Sequence, residues 1–387
     1  MSDELDKKFV ELFRELEEGH LQLREKLNKV RVRGDDLEQL LREEIDNYEP
    51  WRFELMDELG KITEGFEKGP ADAHRAFVKR SLYYRIVQEA PFYWRIMNKP
   101  NGYAGDAQMM SFIYRNQFEG QTPFGMFLHK HAVSTKACQA VRNRKLYLRQ
   151  QLVELGEGFV LSLAAGPAQE IKEILDIYPD NHYQFLALDH DMETLRKYDV
   201  SSHDPRFKYA LANAFQIIAG NYITARPRKL ITKFCVPRKD FKGFRRILAP
   251  VKYELDYLKK ERFDLVYTSG LYDYIKSFPF DDSKGTVALT KNLFDLVKPG
   301  GSLIVGNFSP NNPRDLRFPM DYVYEWHLIY RTKREMLDFA RAIPEAQIDV
   351  IDIIEEPLGI NYFLKIKKRS VEDKISLGRE ALANFLM

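Results

Sequence analysis

The segment Val160-Leu161-Ser162-Leu163-Ala164-Ala165-Gly166-Pro167-Ala168-Gln169-Glu170 passes from apolar residues through a cluster of small ones into a helix-forming stretch. Strand, tight turn and helix start in that order form a ligand cradle in open α/β sheets, where binding falls at the carboxyl ends of strands. Small side chains let the backbone approach the ligand, and the helix start offers unpaired amides and a partial positive charge. Ala164, Ala165, Gly166, Pro167 and Glu170 are therefore the first candidate binding residues. The full GxGxxG that grips a pyrophosphate is missing, so a ligand carrying a carboxylate in its place fits better. Asp189 closes the next apolar run, and a carboxylate there suits the two hydroxyls of a ribose. Asp191 is the near alternative, and the competing role for Asp189 is to cap the helix that follows. After the third run, Asn213 can donate and accept at an adenine edge, Phe215 can pack on the ring, and Ala214 lies between them.

A second set of residues points to an acceptor. Gly102-Tyr103-Ala104-Gly105-Asp106 is too rich in glycine for a helix. It is either a lid with Tyr103 and Asp106 facing the ligand or a capping turn with Asp106 as N-cap. Tyr272, Asp273 and Tyr274 follow the fourth strand, and Asn307 ends the fifth. Arg331 can pair bidentately with an acceptor carboxylate, or with an acid on a helix. His129 and His131 sit among aromatics and serve as a base or, more ordinarily, as structural histidines. Trp326 and Tyr330, four apart, are expected on one face of a helix and in the core. There is no catalytic triad, and no metal is expected.

The elements that must position these groups are legible from periodicity. Up to about residue 155 the pattern is helical: Val10, Phe13, Leu16, Leu21, Leu23 and Leu27, then Leu37, Leu40, Leu41 and Ile45, with Pro50 expected to interrupt. Further helices are predicted from Ala71 to Glu89 and from Thr122 to Leu155. Beyond Gly156, apolar runs at 159–164, 183–188, 207–211, 263–268 and 302–308 alternate with helical patterns at 168–178, 192–198 and 283–297. Such alternation implies a parallel sheet covered on both faces. Two further runs, 348–354 and 360–366, are divided by Pro357-Leu358-Gly359 and read as a hairpin. Residues 222–262 break the alternation with nine Lys and Arg between Arg226 and Arg246. They read as an inserted solvated segment or as a contact for an anionic partner. The expected organisation is a helical N-terminal domain over 1–155, serving as cap or oligomerisation surface, and a catalytic domain over 156–387.

The 387 residues carry a net charge of +2, with 44% hydrophobic and 30% charged side chains. That balance gives no support for a nucleic-acid or membrane-surface binder. The two cysteines, Cys138 and Cys235, form neither a CxxC pair nor a disulfide framework. The start lacks a signal-peptide pattern and no apolar stretch is long enough to span a membrane. A cytoplasmic location and a homodimer through the N-terminal helices are the corresponding expectations.

Together the segments over 155–368 resemble the class I S-adenosylmethionine (SAM)-dependent methyltransferases. Asn98-Lys99-Pro100-Asn101-Gly102-Tyr103-Ala104-Gly105-Asp106-Ala107-Gln108-Met109-Met110 is one closer motif and Phe263-Asp264-Leu265-Val266-Tyr267-Thr268-Ser269-Gly270-Leu271-Tyr272-Asp273-Tyr274 another. With Val305-Gly306-Asn307-Phe308-Ser309-Pro310-Asn311-Asn312-Pro313 and Trp326-His327-Leu328-Ile329-Tyr330-Arg331, they resemble bacterial proteins described as making the methyl ester of 3-hydroxypalmitic acid, a quorum signal. The resemblance implies a Rossmann-like seven-stranded methyltransferase sheet with a terminal antiparallel hairpin and SAM as cofactor. It also implies Ser269 and Gly270 at the cofactor, and a small, fatty-acid-like carboxylate as methyl acceptor. Other small molecules, a protein side chain, or a SAM-binding regulator without turnover stay open as alternatives. The family commonly shows Gly-Cys-Gly-Pro where this chain has Ala164-Ala165-Gly166-Pro167, so the Ala164 methyl is expected to narrow the approach to SAM.

Overall fold

Successive side chains of a strand point to opposite faces, and in this chain both faces are buried. Leu161 and Leu163, with Leu186 and Leu188 of the next strand, enter one apolar core; Val160, Phe185 and Ala187 enter the other. A strand apolar on both faces must lie inside a sheet covered on both sides. The computed structural model describes residues 5–201, 203–220, 231–235, 248–252 and 262–370. Its strands are β1 Gly158–Leu163, β2 Tyr183–Asp189, β3 Phe207–Leu211, β4 Ile231–Cys235, β5 Leu248–Lys252, β6 Phe263–Thr268, β7 Val297–Phe308, β8 Ile348–Glu355 and β9 Asn361–Lys368.

Seven of them form one sheet in the order β3-β2-β1-β6-β7-β9-β8. Strands β3, β2, β1, β6 and β7 pair in parallel, and β8 pairs with β9 antiparallel. This is the expected Rossmann-like seven-stranded sheet ending in an antiparallel hairpin. The order reverses at β1 and β6, which makes the carboxyl ends of those two strands the switch point. Helices Gln169–Ile177, Met192–Tyr198 and Gly285–Leu296 lie close to their expected bounds. The Pro299-Gly300-Gly301 turn is absorbed into β7 as an irregularity: Val297 pairs with Phe263, and the next pair is Leu265 with Ser302. Of the basic stretch 222–262, the antiparallel pair β4–β5 is described. The rest of it, apart from Arg262, lies outside the described residues.

The described residues form two compact units. One contains those up to Lys145 together with Phe308–Leu328 and Glu356–Asn361; the other contains Leu146–Asn307, Ile329–Glu355 and those from Tyr362 onward. The helical unit therefore includes two segments from beyond residue 300 that a linear division at residue 155 does not assign to it. Phe318 shows why: its ring lies 5.8 Å from that of Phe9 and is stacked on Tyr322 at 5.5 Å.

Four helical expectations are corrected. Pro50 does not interrupt its helix, which runs Asp35–Thr63; Tyr48, Arg52, Leu55, Met56 and Leu59 are buried on either side of it, and that packing outweighs the lost backbone bond. The stretch from Ala71 breaks at Ser81, extended at ψ 161°, whose side chain caps a short following helix. Thr122 caps Pro123–Ser134, and a separate helix, Lys136–Leu155, begins after Thr135. Trp326 and Tyr330 are not on a helix, because residues 325–330 are irregular. No helix among the described residues is long and apolar enough to cross a membrane.

Candidate functional site

The chain leaves β1 through three alternating left-handed residues: Ala164 at φ 55°, Gly166 at 54° and Ala168 at 48°. Glycine adopts this conformation readily, whereas each alanine costs about 1 kcal/mol. The loop is held there by its neighbours. Ala165 N–H donates to Leu188 O at 3.0 Å, and Ala168 N–H to Ala165 O at 2.9 Å. The Tyr209 hydroxyl on β3 donates to Gly166 O at 2.6 Å, and Gly166 N–H donates to Asp189 Oδ2 at 2.9 Å. Pro167 and Ala168 are buried; Ala164, Ala165 and Gly166 are partly accessible. Glu170, buried at the start of the next helix, accepts from the Tyr267 hydroxyl of β6 at 2.7 Å.

Asp189 is 5% exposed at the end of β2. Its Oδ1 accepts the N–H groups of His190 at 2.7 Å and Asp191 at 3.1 Å, with the His190 ring 3.3 Å away. The Asp189 bond holds the His190 imidazole above its usual pKa. A carboxylate has about four acceptor positions. Oδ1 is filled, and Oδ2, which holds Gly166, has room for one more donor. Asp189 thus suits one ribose hydroxyl rather than two. Capping of Met192–Tyr198 falls to Asp191, which accepts from Glu193 N–H at 2.9 Å and the Thr194 hydroxyl at 2.7 Å.

Asn213 caps the short helix Ala214–Ile218, its Oδ1 taking Phe215 N–H at 2.9 Å while the Gln216 side chain accepts Asn213 N–H. That oxygen is therefore engaged, and the Asn213 contribution to an adenine edge is limited to Nδ2. Phe215 is 68% exposed, an apolar ring at the carboxyl end of the sheet. Thr268, at the end of β6, is fully buried, and its Oγ1 has no hydrogen-bond partner. Ser269 and Gly270 follow it, partly accessible. Gly306 on β7 lets that turn approach: a Cβ there would meet Ser269 O at 2.8 Å.

Tyr272, Asn307 and Arg331 do come together, but inside the protein. Arg331 is 2% exposed; Nη1 donates to Tyr272 O and Asn307 Oδ1, both at 2.7 Å, and Nη2 to Ile275 O. Asn307, fully buried, returns Nδ2 to Ile329 O at 2.9 Å. The Tyr272 hydroxyl pairs with Thr290 at 2.8 Å, and burial pushes its pKa well up. Arg331 therefore binds backbone and amide oxygens, where sequence reasoning expected a carboxylate. The three residues fasten the loops after β6 and β7.

Within the helical unit, Asp106 is fully buried, caps Ala107–Arg115 through Met109 N–H at 2.9 Å and takes Arg95 on both oxygens. The capping turn is thus realised, and Asp106 is not turned to a ligand. Tyr103 is half-buried. His129 Nδ1 takes Phe92 N–H at 3.2 Å, and burial pushes its pKa down to about 4. His131 is paired with Glu49. Sequence reasoning missed the buttresses Tyr209 and Tyr267, although an inward aromatic hydroxyl on a buried strand needs a partner. It also missed Thr268, Arg144 and Asn361, for which no local pattern gives a signal.

No protein-family model matches the sequence, and no curated protein matches it. Among solved structures, the chain is similar to a possible exported protein from Bordetella parapertussis, with a TM-score of 0.48 and 15% identity, over 83% of this chain and 97% of that one. It is also similar to the S-adenosylmethionine-dependent methyltransferase SibL, with a TM-score of 0.38 and 14% identity, over 78% and 74% of the two chains. A third likeness is to 1,6-didemethyltoxoflavin-N1-methyltransferase of Burkholderia thailandensis, with a TM-score of 0.34 and 14% identity, over 60% and 79%.

Proposed function

We propose that this chain is a SAM-dependent methyltransferase that transfers a methyl group to the carboxylate of a small, fatty-acid-like acceptor. The observation that carries the reading is the loop after β1. Left-handed residues at 164, 166 and 168, fastened to Asp189 at the switch point of the sheet, shape a backbone cradle for a nucleoside with a short charged tail. The fit is residue by residue. Asp189 Oδ2 has one acceptor position for a ribose hydroxyl, Phe215 offers an exposed ring near an adenine, and Ser269 and Gly270 border the same edge.

Bound SAM supplies a methyl group on a sulfonium, open to in-line displacement. The protein's part is to align and to keep water out, and alignment alone supplies roughly 7–11 kcal/mol of barrier lowering. A carboxylate nucleophile needs no strong base. This agrees with Tyr272 and Asp106 being spent on structure and with His129 held neutral by burial.

The test is calorimetric titration with SAM and, separately, with NADH, followed by an acceptor screen that begins with long-chain hydroxy acids. Saturable SAM binding and a methyl ester product are expected. SAM binding without product from any acceptor would favour the regulatory alternative; NADH binding without SAM binding would overturn the cofactor assignment.

A further inference from the structure

Arg144 lies in the helix Lys136–Leu155 and is 4% exposed. Among the described residues its Nε and Nη1 have no hydrogen-bond partner, and Nη2 meets only the Met110 sulfur at 3.9 Å. The guanidinium sits 5.8 Å from the centre of the Phe308 ring. Burying a charged group without a counter-ion or full hydrogen bonding is costly, and proteins pair or satisfy such groups. This protein does so elsewhere: Arg52, equally buried in the helical unit, is paired with Asp315.

Asn361 presents the same anomaly. It is fully buried, and neither Oδ1 nor Nδ2 has a hydrogen-bond partner among the described residues. Two cross-links inside the helical unit tie it to the Arg144 region. Phe308 precedes Ser309, whose N–H donates to Ile360 O at 2.8 Å, one residue before Asn361. Asn143, one residue before Arg144, donates to Glu356 Oε2 at 2.8 Å; Oε1 of that carboxylate takes Ile360 N–H at 2.8 Å and Asn361 N–H at 3.4 Å. Glu356, with Leu358 N–H also on Oε2 at 3.0 Å, has its acceptor positions filled by these bonds and takes none from Arg144.

We propose that Arg144 and Asn361 bind the carboxylate end of a ligand. A guanidinium presents a planar fork that takes a carboxylate bidentately. An amide adds one donor and one acceptor whichever way it is turned, so the acceptor suits a hydroxyl or an ammonium beside the carboxylate. The ligand class is thus a hydroxy- or amino-carboxylate. Resting on the methyltransferase reading, the source is the methyl acceptor, as a hydroxy acid.

The experiment uses the full chain, as wild type and as Arg144→Met, with Asn361→Ala as second variant. Each is melted without ligand, then titrated with 3-hydroxydodecanoate, with its uncharged analogue 1,3-dodecanediol, and with SAM. Because Arg144→Met removes an unpaired buried charge, its melting temperature without ligand is expected to equal or exceed that of wild type. Its affinity for 3-hydroxydodecanoate is expected to fall about thirtyfold, the equivalent of one lost charge-assisted contact. Diol binding should be unchanged, and Asn361→Ala should show a smaller loss in the same direction. SAM affinity is expected to be unchanged in both variants. Two results overturn the proposal: a folded Arg144→Met that binds 3-hydroxydodecanoate as wild type does, or an Arg144→Met markedly less stable than wild type while Asn361→Ala binds normally. If wild type binds the hydroxy acid but not SAM, the methyltransferase reading fails while the carboxylate site stands.

Discussion

Two buried guanidinium groups, one in each unit, are treated in opposite ways. In the sheet unit Arg331 has a matching acceptor for its N–H groups: two backbone carbonyls and the Asn307 amide oxygen. In the helical unit Arg144 is as deeply buried and leaves Nε and Nη1 unsatisfied. Each unit also holds other buried polar atoms without partners among the described residues: His129 Nε2, His131 Nδ1 and both side-chain polar atoms of Asn361 in the helical unit, the Tyr147 hydroxyl, Thr268 Oγ1 and Arg369 Nε in the sheet unit. The irregular segment after β6 supplies two buried carbonyls, and the end of β7 an amide oxygen, that Arg331 can collect, whereas a helix has already used its own carbonyls. An arginine on a buried helical face must find a partner elsewhere, in a side chain or in a ligand. Burial alone therefore does not separate scaffold from a candidate site; the hydrogen bonding of the buried group has to be counted as well.

The strongest way to break this comparison is Arg331→Met. It removes a donor from Tyr272 O, Ile275 O and Asn307 Oδ1 in the interior, each loss worth about 1–3 kcal/mol, so a total near 4 kcal/mol of destabilisation is expected in urea unfolding. A variant within about 1 kcal/mol of wild type would remove the distinction between the two arginines.

Acid separates the units next. Burial lowers His20 to about 3 and His129 to about 4, and lowers His131 in the same direction. The unfolded chain takes up these protons below its usual imidazole pKa of about 6.5, while the native helical unit does not, so stability present at neutral pH is lost as pH falls from there towards 4. His129 alone accounts for about 3 kcal/mol of that loss. His190 in the sheet unit has the opposite sign, because Asp189 raises its pKa; its contribution is present at low pH and lost as pH rises through the raised value. Hydrogen exchange at pH 7.5 and pH 5 should show protection falling first in the helical unit. Equal losses in both units would contradict the assignment of the acid sensitivity to its buried imidazoles.

Where legibility ended follows the same line. The strands of the main sheet could be read from the sequence because each carries an apolar run bounded by turn residues, and the hairpin at the end followed from Pro357-Leu358-Gly359. Asp106 was readable as an N-cap because capping is a local relation over three residues. The joining of Phe308–Leu328 to the first helices was not readable, since it depends on Phe9, Phe318 and Tyr322 meeting across three hundred residues. Arg331 stood out as polar, but whether it met a carboxylate or carbonyls is decided by loops that have no periodic signal. Arg144 resembles any basic residue on a charged helix, and its missing partners exist only in three dimensions.

On the sheet side the cradle offers a finer probe. In Asp189→Asn the nitrogen replacing Oδ2 or Oδ1 cannot accept the N–H groups of Gly166, His190 and Asp191 together, so the loop loosens and the ribose contact is lost. SAM affinity is expected to drop at least tenfold, about 1.4 kcal/mol, in calorimetry. Asp191→Asn, at a helix cap, should change it much less. Similar losses in the two variants would mean that Asp189 acts only through loop order.

Ala164→Gly carries the smallest expected effect and the most specific one. Ala164 holds φ 55°, where a Cβ is crowded against the backbone. Glycine relieves that crowding but gains freedom in the unfolded chain, so the two terms nearly offset and a net stabilisation of about 0.5 kcal/mol is expected. Ala168→Gly shares the backbone relief at φ 48° but empties a fully buried methyl, so it should be neutral or slightly destabilising. The pair separates strain from steric access. If the Ala164 methyl also narrows the approach to SAM, only Ala164→Gly will tighten SAM binding, and it will do so by more than its effect on stability. If both variants leave SAM affinity unchanged, the cradle accepts its ligand with alanine in place, and the loop owes its function to the left-handed backbone rather than to glycine itself.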